Sequence, residues 1–100
     1  MKTAVDPKII AEIWAVICDR AEHPKDGSYT NLLLTDEKGI DKVLEKVGEE
    51  STEFILAVKN GVSGRTASEA ADLIFHMLVA LRAAGVDLSD VMEELEHRRK

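Results

Sequence analysis

Ala67-Ser68-Glu69-Ala70-Ala71-Asp72-Leu73-Ile74-Phe75-His76-Met77-Leu78-Val79-Ala80-Leu81 is the stretch that decides the fold. Apart from Ser68, Glu69, Asp72 and His76 it is almost wholly apolar, with apolar positions on every side of a helical wheel. A helix apolar all round is a buried helix. The polar exceptions matter as much, because Glu69, Asp72 and His76 recur at spacings of three and four and form one line along it. The segment extends from about Thr66 to Ala84 and stops at Gly85.

Working outward, the same period recurs on both sides. Asp36 to Asn60 carries Ile40, Val43, Leu44, Val47, Phe54, Ile55 and Val58 on one stripe, and Gly61 is placed to cap its end. Gly48, costly within a helix by about 1 kcal/mol relative to Ala, suggests a close approach by another group. Asp6-Pro7 is a helix-start signal, and Ile9, Ile10, Ile13, Trp14 and Ile17 define the buried face of a first helix reaching about Glu22. His23-Pro24-Lys25-Asp26-Gly27 ends it. Ser28 to Thr35 is a connector whose Leu32-Leu33-Leu34 patch suits either a helical turn or an extended piece. After Gly85, Asp87 caps a last helix with Leu88, Val91, Met92 and Leu95, and Arg98, Arg99 and Lys100 stand at its negative end. No stretch alternates with period two. The expectation is an all-α bundle of four to five helices, one domain over residues 1–100.

One hundred residues with 45% apolar content fill one core without disulfides. The net charge of −6 has the wrong sign for general attraction to nucleic-acid backbones or anionic membranes, and four aromatic residues leave little for base stacking. The sole cysteine, Cys18, reads as a buried small hydrophobe. Met1 to Ile10 lacks the apolar core of a secretory signal, and no apolar run reaches ~18 residues. A cytoplasmic protein that binds neither nucleic acid nor membrane is expected.

Glu49-Glu50-x-x-Glu53 and Glu69-x-x-Asp72 carry the chemistry. Residues three apart on a helix project from one face, so each helix offers a pair of carboxylates. The short Gly-containing connection makes the two helices antiparallel neighbours, which lets Glu50 and Glu53 face Glu69 and Asp72. Adjacent acids on one helix are ordinarily a solvated face; a second pair on an apolar helix tips the balance to a divalent cation, because several buried carboxylates need compensation. Magnesium takes oxygen ligands and bridges carboxylates to phosphates. His76 is left outside the metal shell, since magnesium prefers oxygen. Glu49 lies off the apolar stripe, as a base for water, a supporting group or a surface charge. Lys42 and Lys46, and Lys59, Asn60 and Arg65 at the turn, are candidates to grip phosphate or, equally, members of ordinary helix ion pairs.

The run Lys46-Val47-Gly48-Glu49-Glu50-Ser51-Thr52-Glu53, followed by Glu69-Ala70-Ala71-Asp72-Leu73-Ile74-Phe75-His76, resembles the phosphoribosyl-ATP pyrophosphatases of histidine biosynthesis, within the all-α nucleotide pyrophosphatase superfamily. Ser28-Tyr29-Thr30 and Lys59-Asn60-Gly61 match as well, so the resemblance covers about Ser28 to the C-terminus. It implies magnesium-dependent hydrolysis of phosphoribosyl-ATP to phosphoribosyl-AMP and pyrophosphate, by attack of water on a phosphoryl group, in a homodimer or larger homo-oligomer. Glu50, Glu53, Glu69 and Asp72 match the metal-binding acids, with Glu49, Glu50 and Glu53 the catalytic acids of the first motif. Lys42, Lys46, Lys59, Asn60, Ser28, Tyr29 and Thr30 are the expected substrate contacts. Ser51-Thr52 departs mildly from the small residues usual there. Some relatives are fused to a cyclohydrolase, which this chain is too short to include, so a separate protein is expected to take the next step. The rival expectations are a pyrophosphatase that cleans the nucleotide pool and a non-enzymatic helical assembly module.

Overall fold

Each expected stop falls where the backbone chemistry requires one. In the computed structural model, which describes residues 4–99, five helices follow one another: α1 (Lys8–Glu22), α2 (Tyr29–Leu34), α3 (Ile40–Asn60), α4 (Ser63–Ala84) and α5 (Leu88–Arg98). Gly61 (φ 70°) and Gly85 (φ 75°) take the left-handed conformation that ends α3 and α4. The Gly85 and Val86 N–H groups then donate to the Arg82 and Leu81 carbonyls at 3.1 and 2.9 Å. Asp87 Oδ1 accepts from the Ser89 N–H at 2.8 Å and caps α5 as expected. Asp6 likewise accepts from the Lys8 N–H at 3.0 Å at the start of α1.

Two boundaries move, and α4 starts at Ser63 rather than about Thr66. α3 starts at Ile40 rather than Asp36, because Gly39 sits at φ 64° and ψ −140°, and Asp36 instead closes a turn by accepting from the Lys38 and Gly39 N–H groups at 2.9 and 2.8 Å. The ambiguous connector is a helix. Ser28 caps it through the Asn31 N–H at 3.3 Å, and buried Asn31 ties it to the preceding chain, accepting from the Lys25 N–H and donating to the Arg20 carbonyl, both at 2.7 Å. A buried amide satisfied at both ends fixes where α2 begins.

The core gathers Ile17, Leu33, Val43, Leu78, Val79 and Leu88, one or two residues from each helix, with Ile10, Ile13, Trp14 and Phe75 packed around them. Burying a side chain as fully as Ile17 contributes roughly 1.5–3 kcal/mol. α4 packs most extensively against α3, as a hairpin closed by Gly61 and Val62.

One chain does not cover α4 on all sides: Ile74 and Met77 are 43% and 48% exposed, in keeping with a helix whose apolar surface extends beyond one small bundle. Other expectations about burial are corrected. Of the α3 stripe, Val43 is buried, whereas Ile40, Leu44, Ile55 and Val58 are exposed. Ile9 is exposed and Cys18 only half-buried. A Cβ on Gly48 would meet nothing within 4 Å, so no close approach inside the chain explains it. The radius of gyration, 14.8 Å, exceeds the ~13 Å of a compact domain this long, consistent with apolar surface that one chain does not cover. Lys100 at the end of α5 lies outside the described residues.

Candidate active site

Gly61 stands midway in sequence between Glu50 and Asp72, so folding the chain back at this turn brings the two acids to the same height on antiparallel helices. Glu50, Glu69 and Asp72 each place a carboxylate oxygen within 4.8 Å of the others. Glu50 and Glu69 are buried, at 7% and 9% exposure, and Asp72 opens to the surface. Glu53, exposed one turn from Glu50, lies close enough to both buried acids to disfavour their ionised forms.

This arrangement is electrostatically unsatisfied. Burial, followed by the neighbouring Glu53 and Asp72, pushes the Glu50 carboxyl above the usual range, with Lys46 opposing. Glu69 is pushed up by burial and by Glu53, and Arg65 opposes from 3.4 Å. Among the described residues, Glu50 Oε2 and Glu69 Oε2 are buried oxygens with no hydrogen-bond partner. Native structures rarely leave such atoms unpaired, and an all-oxygen donor set around them is the kind that magnesium takes. The residues therefore fit a divalent cation, with Glu50, Glu69 and Asp72 as the geometric core and Glu53 at its edge.

The remaining expected site residues divide by position. Lys46 Nζ reaches Glu49 Oε2 at 3.1 Å and Glu50 Oε1 at 3.8 Å, and the Glu49 hydrogen bond chiefly holds its ammonium charged. Glu49 is exposed and points to this lysine. Lys42, half-buried, lies one turn before Lys46. Lys59 and Asn60 end α3 and stand roughly 9–10 Å along the axis from Glu53, outside the cluster. Arg65, grouped with them in the sequence, instead touches Glu69. Of Ser28-Tyr29-Thr30, Ser28 is occupied as a helix cap and Thr30 is buried, while Tyr29 is 46% exposed with its hydroxyl 2.9 Å from His76 Nε2. Ser51 and Thr52 return their hydroxyls to the Val47 and Gly48 carbonyls, which makes their presence in α3 structurally mild. Residue spacing alone does not reveal the contact from Tyr29 to His76; the only signal is that His76 continues the polar line of Glu69 and Asp72.

A cleft of about 360 Å³ lined by Trp14, Arg82, Gly85, Val86 and Asp87 lies away from the acids.

Comparison with known proteins adds to this geometry. The chain is 71% identical over 99 residues to a protein of Methanoregula boonei named phosphoribosyl-ATP pyrophosphatase, covering 99% of this chain and 95% of that one. It is 63% identical to the Methanoculleus marisnigri protein of the same name, covering 95% and 98%. It is 50% identical to a histidine biosynthesis bifunctional protein of Thermoanaerobacter pseudethanolicus, covering 91% of this chain and 41% of that one. The match to the family runs from residue 10, so it includes most of α1, which the sequence motifs leave unassigned. With residues 10–99 matching the model of phosphoribosyl-ATP pyrophosphohydrolase, and an acidic cluster at the heart of its helix hairpin, the chain belongs to the phosphoribosyl-ATP pyrophosphohydrolase family.

Proposed function

We propose that the chain is a hydrolase that cleaves phosphoribosyl-ATP to phosphoribosyl-AMP and pyrophosphate, with magnesium held by Glu50, Glu53, Glu69 and Asp72. The observation that carries the metal reading is the pair of buried, unpartnered oxygens on Glu50 and Glu69. An ion held there would supply charge neutralisation for the triphosphate and would make a water more acidic.

The chain's own residues have separable tasks. Glu50 and Glu69, held by the α3–α4 hairpin, are fixed before substrate arrives, so little rearrangement opposes binding. Lys46 bridges Glu49 and Glu50 from the rim and offers its ammonium to a phosphate. When it turns to the substrate, Glu49 is released as a carboxylate able to take a proton from water. Arg65 offers the same service from the Glu69 side. Lys42 lies near enough to extend the positive rim, whereas Lys59 and Asn60 reach only a substrate that extends toward the turn.

The exposed apolar residues of α3 and α4, Leu44, Ile55, Ile74 and Met77 among them, support assembly into a homodimer or larger homo-oligomer. Among the described residues no helix is long and apolar enough to cross a membrane. That accords with work in the cytoplasm.

Pyrophosphate release from phosphoribosyl-ATP and from ordinary nucleoside triphosphates, each with and without magnesium, tests this. Magnesium-dependent turnover of phosphoribosyl-ATP is the expected result. Turnover of the other triphosphates alone transfers the function to pool cleaning, and silence on every substrate favours an assembly module.

A further inference from the structure

His76 is buried at 5% exposure, one helical turn beyond Asp72, and both of its ring nitrogens are engaged. Nδ1 lies 2.7 Å from the Asp72 carbonyl oxygen. A carbonyl can only accept, so Nδ1 carries the proton and donates. In the neutral ring Nε2 is then an acceptor, and the group facing it at 2.9 Å is the Tyr29 hydroxyl, which must donate. Phe75 backs the arrangement, its ring 5.2 Å from His76 edge-on and 6.1 Å from Tyr29.

The consequence lies on the other side of the tyrosine. A phenol has one proton, and here it is committed to His76, so the oxygen of the half-exposed Tyr29 offers only lone pairs to any further partner. It cannot donate to a phosphate oxygen. It can accept from an ammonium or from a hydroxyl. His76 bonds the Asp72 carbonyl on one side and the Tyr29 hydroxyl on the other, which sets the phenol beside the acid cluster.

We infer that His76 is a positioning residue that holds Tyr29 as a hydrogen-bond acceptor at the rim of the acid cluster, where Tyr29 takes a sugar hydroxyl of the nucleotide rather than a phosphate. This rests on the proposed hydrolase reading for its substrate, but the hydrogen-bond polarity stands independently of it. Tyr29 thereby contributes to selection of the ribosyl part of the substrate, and the lysines are left to the phosphates.

The test has two arms. In the first, ¹⁵N-resolved spectra of the imidazole nitrogens are recorded at neutral pH, with His76 separated from the other two histidines by its loss in His76→Gln. The expected signature is a neutral ring protonated at Nδ1; a ring protonated at Nε2 alone, or at both nitrogens, overturns the inference whatever the enzyme cleaves. In the second, KM and kcat are measured for Tyr29→Phe, His76→Phe, the double variant and His76→Gln, on phosphoribosyl-ATP or whichever triphosphate the wild type hydrolyses. Losing one neutral hydrogen bond predicts a KM raised about 3- to 10-fold in Tyr29→Phe with kcat within about twofold. His76→Phe should resemble it, the double variant should be no worse, and His76→Gln, whose amide oxygen still accepts from Tyr29, should recover most of the loss. A wild-type KM in His76→Phe, or additive effects in the double variant, overturns the inference. If His76→Phe does not fold, His76→Gln and the imidazole spectrum decide. Failure to cleave phosphoribosyl-ATP with the Nδ1-protonated ring intact would fault the substrate and spare the positioning.

Discussion

Replacing Glu50 by Gln should stabilise the metal-free protein while removing its response to magnesium. Glu50, Glu69 and Asp72 have carboxylate oxygens within 4.8 Å of one another. At that separation two full charges repel by about 0.9 kcal/mol in water and about 3.5 kcal/mol at an effective dielectric constant of 20. Glu50→Gln removes two such pairs and forfeits the attraction to Lys46 across 3.8 Å, about 1 to 4 kcal/mol over the same range. Because proton uptake already relieves part of the repulsion, the low end applies, a gain of about 1 kcal/mol. For a domain of this size that raises Tm by roughly 4–8 °C. Thermal unfolding is followed by circular dichroism in a chelator and in magnesium, at one protein concentration because assembly also shifts Tm. Wild type should gain stability as magnesium rises, about 2.7 kcal/mol at a hundred times Kd, and Glu50→Gln should gain little. A variant less stable than wild type in chelator, yet equally stabilised by magnesium, would refute the reasoning.

Four further outcomes follow from the same structure. Glu53→Gln or Asp72→Asn should abolish pyrophosphate release and leave the helical circular-dichroism signal intact; substantial activity in either purified variant removes that acid from the site. Glu50 and Glu69 have folded-state pKa values above the ordinary 4.5, so the folded chain binds more protons than the unfolded one, and denaturant titrations in chelator should show stability that is full below pH ~4.5 and lost as pH rises through the raised values. Magnesium, which competes with those protons, should flatten or reverse that slope. Ile74→Glu, placing a charge on the uncovered face of α4, should lower the mass measured by light scattering, and an unchanged mass would relocate the interface. Ser28→Ala, which removes the cap of α2, should cost about 1 kcal/mol in denaturant unfolding.

The fold was legible wherever local chemistry and periodicity agreed. Gly61 and Gly85 mark ends that only a left-handed residue satisfies cheaply, and Asp87 marks a start that a short acceptor side chain supplies. The start of α3 was misplaced because Asp36 resembles a cap, whereas its side chain serves the turn before Gly39. The connector stayed ambiguous because Leu32-Leu33-Leu34 has no decisive period; what resolves it is Asn31, whose partners at Arg20 and Lys25 lie in another part of the chain. Burial was overestimated for the same reason throughout. Hydrophobic pattern reports which faces avoid water, not whether this chain or another covers them, and Ile55, Ile74 and Met77 are apolar faces that one chain leaves open. Within the site, spacing along α3 and α4 together with the short turn was enough to bring Glu50, Glu69 and Asp72 together, but it did not reach Lys59 or Asn60, whose distance along the helix axis depends on a rise of ~1.5 Å per residue.

The hairpin also explains why an unfavourable cluster can persist in so small a protein. Neither α3 nor α4 holds the acids by itself; each keeps its register through core residues elsewhere along its length, Val43 on α3 and Leu78 and Val79 on α4. These lie on the far side of the acids from Gly61, so the carboxylates are clamped between the turn at one end and the core at the other. Relaxing the repulsion would require separating the helices, which would expose that core. Ile17→Ala, which hollows out the contact between α1 and this core and should cost about 2–5 kcal/mol, therefore ought to loosen the site without touching it. The signature would be a weaker magnesium affinity than in Ser28→Ala, whose lesion lies at the cap of α2. If both variants bind magnesium as wild type does, the acids are held by the turn alone.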